Sequence, residues 1–190
     1  MRLFAALLYI ALFAVANPAA SQVLTEAQRA DISALREGDM RKLVIHAEPV
    51  AGSDTVFTDP AGDEVTLADS NGRVRLVNFW ATWCAPCRQE KPSLDALQRS
   101  IGGPDFGVVA IATGRNDPEA IETFNADVGI ETLETYLDPR SRLATSMNVP
   151  GLPVTALLNR EGQELARLMG GADWDSESAR AIIAAVIAAE

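Results

Sequence analysis

Val77-Asn78-Phe79-Trp80-Ala81-Thr82-Trp83-Cys84-Ala85-Pro86-Cys87-Arg88-Gln89-Glu90-Lys91-Pro92 reads as a strand, a dithiol and a helix in direct succession. The apolar run that ends in Trp80 has the β-branched and aromatic character of a central strand. The residues after Cys84 have a helical pattern, and Pro86 suits a first helical turn, where a missing N–H costs nothing. Cys84 and Cys87 are the only two cysteines in the chain. A helix N-terminus carries unsatisfied N–H groups and partial positive charge, which favour a thiolate. A low-pKa thiolate is well populated at neutral pH, and a second thiol one turn along can resolve any bond the first one makes. The spacing therefore points to dithiol–disulfide exchange.

Other uses of two cysteines fit less well. A bridge across two residues closes a very short loop and stabilises little. A tetrahedral zinc site needs four ligands, and two cysteines supply half of them. The lone histidine, His46, lies far upstream in a segment that reads as irregular, so it reads as an exposed or packing residue.

The chain has 190 residues, a formal charge of −10 and 48% apolar residues, enough for one domain with a real core. The acidity argues against binding nucleic acid or anionic lipid. Arg2 followed by the 14-residue apolar run Leu3–Ala16 and then small residues resembles an export signal. The run is short for a membrane span. Residues 1–21 are therefore expected to be a signal peptide or an N-terminal membrane anchor, and both place the globular part outside the cytoplasm.

Residues 22–50 read as an extension with a short helix and loop. Thr25 and Gln28 form a capping-box pattern that starts a helix over about 25–37. Leu43–Ile45 is a brief strand, and Ala47–Asp54 reads as loop around Pro49 and Gly52. Residues 51–190 form the main domain. Phe57–Thr58 and Glu64–Leu67 flank a turn and predict a hairpin. Strands follow at Arg73–Trp80, Phe106–Ala112, Thr135–Leu137, Val154–Leu158 and Glu164–Leu168. Helices are expected over about 85–100, with a bend at Pro92, then 118–128, 138–147 and 174–189. Alternating strands and helices imply an α/β fold with a central sheet, mostly parallel, covered by helices.

On these motifs the chain resembles the thioredoxin superfamily, and most closely its exported TlpA/ResA-type thiol–disulfide oxidoreductases. The resemblance runs from about Phe57 to the C-terminus and is densest over Val77–Pro92. A second match, Asn148-Val149-Pro150-Gly151-Leu152-Pro153-Val154-Thr155, is similar to the segment that carries a cis-proline opposite the dithiol, here Pro153. The resemblance implies a thioredoxin fold: a central mixed sheet flanked by helices, with an N-terminal β-hairpin and an extra helix and strand inserted.

Cytoplasmic thioredoxins carry a buried acid on the strand before the motif, where this chain has Asn78. The TlpA/ResA resemblance moves that role to Glu90. Spacing supports this independently, because residues three apart share a helix face and Glu90 falls on the side of Cys87. The competing reading is an ordinary first-turn glutamate favoured by the helix dipole.

In this reading Cys84 attacks a client disulfide and Cys87 resolves the mixed disulfide. Trp83 and Pro86 border the docking surface, unless Trp83 is simply packed, and the backbone at Leu152 pairs with an extended client. The resemblance implies a periplasmic reductase acting on disulfide-bearing clients, in cytochrome c maturation or in copper delivery to cytochrome oxidase. It also implies a membrane dithiol donor of the DsbD/CcdA type, and no cofactor. Two alternatives stay open: a thiol oxidant, and a copper chaperone using both thiols with His46.

Overall fold

The structure is a computed structural model that describes residues 24–190. The expected signal or anchor at 1–21 lies outside the described residues. Its centre is β4 (Val74–Trp80), in which all seven residues are buried. The other strands are β1 (Val44–Val50), β2 (Phe57–Thr58), β3 (Glu64–Val65), β5 (Phe106–Thr113), β6 (Thr135–Asp138), β7 (Val154–Leu158) and β8 (Glu164–Met169). The helices are α1 (Glu26–Ala34), α2 (Ala85–Ile101), α3 (Pro118–Val128), α4 (Arg142–Ser146) and α5 (Glu177–Ala189), with 3-10 turns at Gly38–Lys42 and Leu67–Ser70.

Among the described residues one mixed sheet forms, in the order β1-β8-β7-β4-β5-β6-β2-β3. β5 and β6 run parallel to β4, while β7, β8 and β1 are added on its other side, each antiparallel to its neighbour, so the sheet is mixed rather than mostly parallel as the alternation of strands and helices implied. The sheet separates two apolar layers. Leu76 and Trp80 of β4 face α2, α3 and α5, through Leu94, Leu97, Phe124, Ile182 and Ile183. Val77 and Phe79 face α4 and its C-cap, through Leu143, Ala144 and Met147. Burying each such large apolar side chain contributes roughly 1.5–3 kcal/mol, which is why β4 tolerates so few polar positions.

Three boundaries differ from the sequence expectation, each for a local reason. β1 continues through Pro49 to Val50, where loop was expected. β1 is an edge strand, so the missing proline N–H can face outward. α4 begins at Arg142 rather than near Asp138, because the Asp138 carboxylate accepts from the N–H groups of Arg142 and Ala144, at 2.8 and 3.0 Å. α5 begins at Glu177 rather than Trp174, because Ser176 is its cap and Trp174 is used as core. The Thr25–Gln28 capping box forms as expected.

Candidate functional site

The site lies where β4 ends and α2 begins. The chain leaves the sheet after Trp80, turns through Ala81–Trp83, and enters α2 with Cys84 as its N-cap. Cys84 Sγ accepts from the Cys87 N–H at 3.3 Å. The two cysteines are joined as a disulfide with Cα atoms 5.2 Å apart. Cys84 keeps slight exposure, at 5%, and Cys87 has none. That asymmetry makes Cys84 the sulfur that an incoming thiol or disulfide can reach first.

The turn before the dithiol is fixed from outside. Asn116, between β5 and α3, accepts from the Thr82 N–H at 2.8 Å and from the Thr82 hydroxyl at 3.1 Å. Its own amide donates back to the Thr113 and Gly114 carbonyls. Sequence reasoning missed Asn116. Its one signal is its place in the turn before the Asp117-Pro118 helix start, and nothing in the chain pairs it with Thr82.

Glu90 lies one turn after Cys87 and is buried. It reaches β4, where Asn78 Nδ2 donates to its Oε1 at 2.8 Å. The same amide donates to Thr155 Oγ1 on β7 at 2.9 Å. The Ala172 N–H donates to Oε2 at 3.2 Å. Burial pushes the Glu90 carboxyl up to about 7, against the pull of the Asn78 and Ala172 donors and of the Lys91 charge. A carboxyl held there can take or give a proton at neutral pH.

Pro153 follows a cis peptide bond from Leu152. Val154 pairs with Phe79, so Pro153 lies level with Trp80, where β4 hands over to the dithiol turn. Its carbonyl accepts from the Gly170 N–H at 2.9 Å, and Gly170 has the positive φ of 89° that this corner needs. Gly171 then passes so close to the start of α2 that a Cβ there would stand 3.3 Å from the Pro86 carbonyl oxygen. The structure thus gathers Cys84, Cys87, Glu90, Pro86 and Pro153 at one end of the sheet. Trp83 is 68% exposed, so it is not core packing. Met169, the β8 partner of Val154, is also exposed, and Leu152 is partly so. Sequence reading passed over Met169, which is the end of a strand and has no motif.

Lys91 is a third residue that the sequence reading did not use. It is fully buried, with Nζ 3.8 Å from the centre of the Trp80 ring. Its ammonium has no hydrogen-bond partner among the described residues. Burial pushes it well below the ordinary lysine range, opposed by Glu90 and Asp95. His46 is remote from this chemistry: it sits on β1 and pairs with Glu164 at 2.8 Å. Among the described residues no cluster of three or more His, Cys, Asp or Glu could hold a metal ion. No helix among them is long and apolar enough to cross a membrane.

Comparison with known proteins agrees with this geometry. The Redoxin family model matches residues 49–183. The thiol:disulfide interchange protein HelX of Rhodobacter capsulatus is 33% identical over 118 residues, 60% of this chain and 64% of the relative. The thiol-disulfide oxidoreductase ResA of Bacillus subtilis is 30% identical over 122 residues, 63% of this chain and 67% of the relative. With the first of these curated relatives, then, the match spans under two thirds of the relative's length. A crystal structure of a candidate thiol:disulfide interchange protein DsbE from Chlorobium tepidum superposes with a TM-score of 0.64 at 29% identity, covering 73% of this chain and 96% of that one.

Proposed function

Because this chain belongs to the Redoxin family and has the thioredoxin fold, we propose that it is a thiol:disulfide oxidoreductase that reduces disulfides in exported client proteins. The observation that carries the proposal is the Cys84–Cys87 pair at the start of α2 with a buried Glu90 one turn inside it. The names of HelX and ResA as interchange protein and oxidoreductase support it.

In the reduced protein the Cys84 thiolate attacks one sulfur of a client disulfide. That S–S bond breaks, its electron pair leaves with the first client thiolate, and Cys84 is joined to the client. Glu90 takes the proton of the Cys87 thiol. The Cys87 thiolate attacks Cys84 Sγ and expels the second client sulfur, which picks up a proton. The client is reduced by two electrons and the Cys84–Cys87 bridge forms. An external dithiol, of the DsbD/CcdA membrane type, then reduces the bridge again. Trp83, Pro86 and the exposed Met169 offer the client an apolar rim. The backbone at Leu152, next to Pro153, offers it strand-like pairing.

The expected setting is the periplasm, with residues 1–21 as signal or anchor. The expected clients are apoproteins of cytochrome c maturation or copper-delivery proteins of cytochrome oxidase. The test is a Cys87→Ser variant expressed with its leader. It should accumulate mixed disulfides through Cys84, and identifying the captured partner names the client. Capture by Cys84→Ser instead would reverse the two roles. A reduction potential near that of thioredoxin fits a reductase, whereas one near the strong oxidants would make the protein a thiol oxidant.

A further inference from the structure

The segment from Gly170 to Trp174 joins β8 to α5 and runs past the buried acid. On one side it is stitched to α2. The Ala172 N–H donates to Glu90 Oε2 at 3.2 Å, and the Trp174 N–H donates to Ser93 Oγ at 3.0 Å. On the other side it is held by the 3-10 turn at Gly38–Lys42. Lys42 Nζ donates to the Gly171 carbonyl at 2.6 Å, and the Asp173 N–H donates to Asp39 Oδ2 at 3.2 Å. Lys42 and Asp39 also pair with each other at 2.9 Å. The turn that carries them is anchored by Met40 and Leu43, both buried in the core. A cavity of about 420 Å³ is lined by Asp39, Glu90, Ser93 and Ala172, so the buried acid lies at its inner wall.

We propose that Asp39 and Lys42 are positioning residues for Glu90: they clip the Gly171–Asp173 strap so that its Ala172 N–H stays on the carboxyl, and Asp39 also lines the cavity beside Glu90. The N-terminal extension thereby becomes part of the redox site without touching either sulfur. The inference rests on the reading of Glu90 as the proton partner of the dithiol. With the two cysteines joined as a disulfide, the charged and titratable groups around Glu90 are Lys91 of α2, Asp39 of the 3-10 turn and Asp173 of the strap, with Lys42 paired to Asp39. β4 and β7 present only the uncharged Asn78 and Thr155.

The experiment compares Asp39→Ala, Lys42→Met and Lys42→Arg in the whole protein. It uses two NMR readouts, amide exchange at Ala172 and the carboxyl 13C titration of Glu90. Losing the clip frees the Ala172 N–H, so its exchange should speed up by about tenfold in both Asp39→Ala and Lys42→Met. The carboxylate loses a donor in both, so the proton affinity of Glu90 should rise about threefold to tenfold in both. A direct charge effect would move Glu90 in opposite directions, because one variant removes an anion and the other a cation. Lys42→Arg should restore both readouts. Unchanged exchange at Ala172, or opposite shifts at Glu90, would overturn the clip. Reduction of insulin by Glu90→Gln tests the underlying reading separately. A wild-type rate there removes Glu90 from the chemistry but leaves the Ala172 result standing.

Discussion

Asn78 gives its side-chain amide to the Glu90 carboxyl at 2.8 Å, so the strand supplies a donor and the helix supplies the acid. The two positions are complementary, and only one of them can carry a carboxyl comfortably. Asn78→Asp would put two carboxyls at bonding distance in a buried site, where both cannot ionise and one proton is shared. The shared proton raises the folded-state titration of the pair, so the stabilisation it gives is present at low pH and lost as pH rises. Thermal melts should show Asn78→Asp close to the parent at pH 5 and clearly less stable at pH 8. Equal loss at both would contradict the shared proton.

Glu90 has its own pH signature. Its carboxyl is raised from 4.5 to about 7 by burial. A raised folded-state value means the neutral acid is the favoured form. Stability is fully present below 4.5 and is lost as pH rises through 7, by up to about 3 kcal/mol. Glu90→Gln should flatten that slope in urea titrations of the oxidised protein, becoming more stable than the parent at pH 8. It should also slow reduction of a client disulfide by at least about tenfold at neutral pH and erase the inflection near 7.

Lys91 is a buried amine over an aromatic face, with no hydrogen-bond acceptor among the described residues. The contact with Trp80 returns about 0.5–2 kcal/mol, less than the desolvation of an ammonium costs. Lys91→Met keeps the length of the side chain and removes the charge. It should stabilise the protein by roughly 1–4 kcal/mol near neutral pH. The lowered folded-state titration of Lys91 gives the sign: the penalty is present at neutral pH and fades as pH rises toward 10.5. The gain should shrink accordingly in denaturation curves at high pH.

Asn116 holds the turn that leads into Cys84 through Thr82. Asn116→Ala leaves the Thr82 N–H without its acceptor. The expected cost in stability is about 1 kcal/mol. The expected cost in rate is larger, about tenfold in disulfide reduction, because a loosened turn misplaces the attacking sulfur. Stopped-flow reduction and thermal melts on the same variant separate the two effects.

Much of this was legible in order along the chain. The Val74–Trp80 run, the Cys84–Cys87 spacing and the Pro86 position identify strand, dithiol and helix start without any tertiary information. The i, i+3 spacing of Cys87 and Glu90 was enough to turn Glu90 inward. Lys91 is four residues after Cys87 on the same buried stripe, so its inward position was also encoded, but a lysine there reads as solvent-facing until its burial is seen. Asn116, Met169 and Ala172 carry no motif. Each matters through a backbone contact or a position at a sheet corner.

The sequence by itself determined the dithiol and the strand and helix that frame it. These follow from local propensity, from capping and from the helical repeat, which act between near neighbours. The tertiary structure decided what surrounds Glu90. Asn78 lies 12 residues before it in the chain and Ala172 lies 82 after it. Asp39 and Lys42 reach the same strap from an extension that reads as a separate piece. Hydrogen bonds across such separations depend on how β8 and the 3-10 turn pack against α2, and that packing is set by the buried Met40, Leu43 and Trp174.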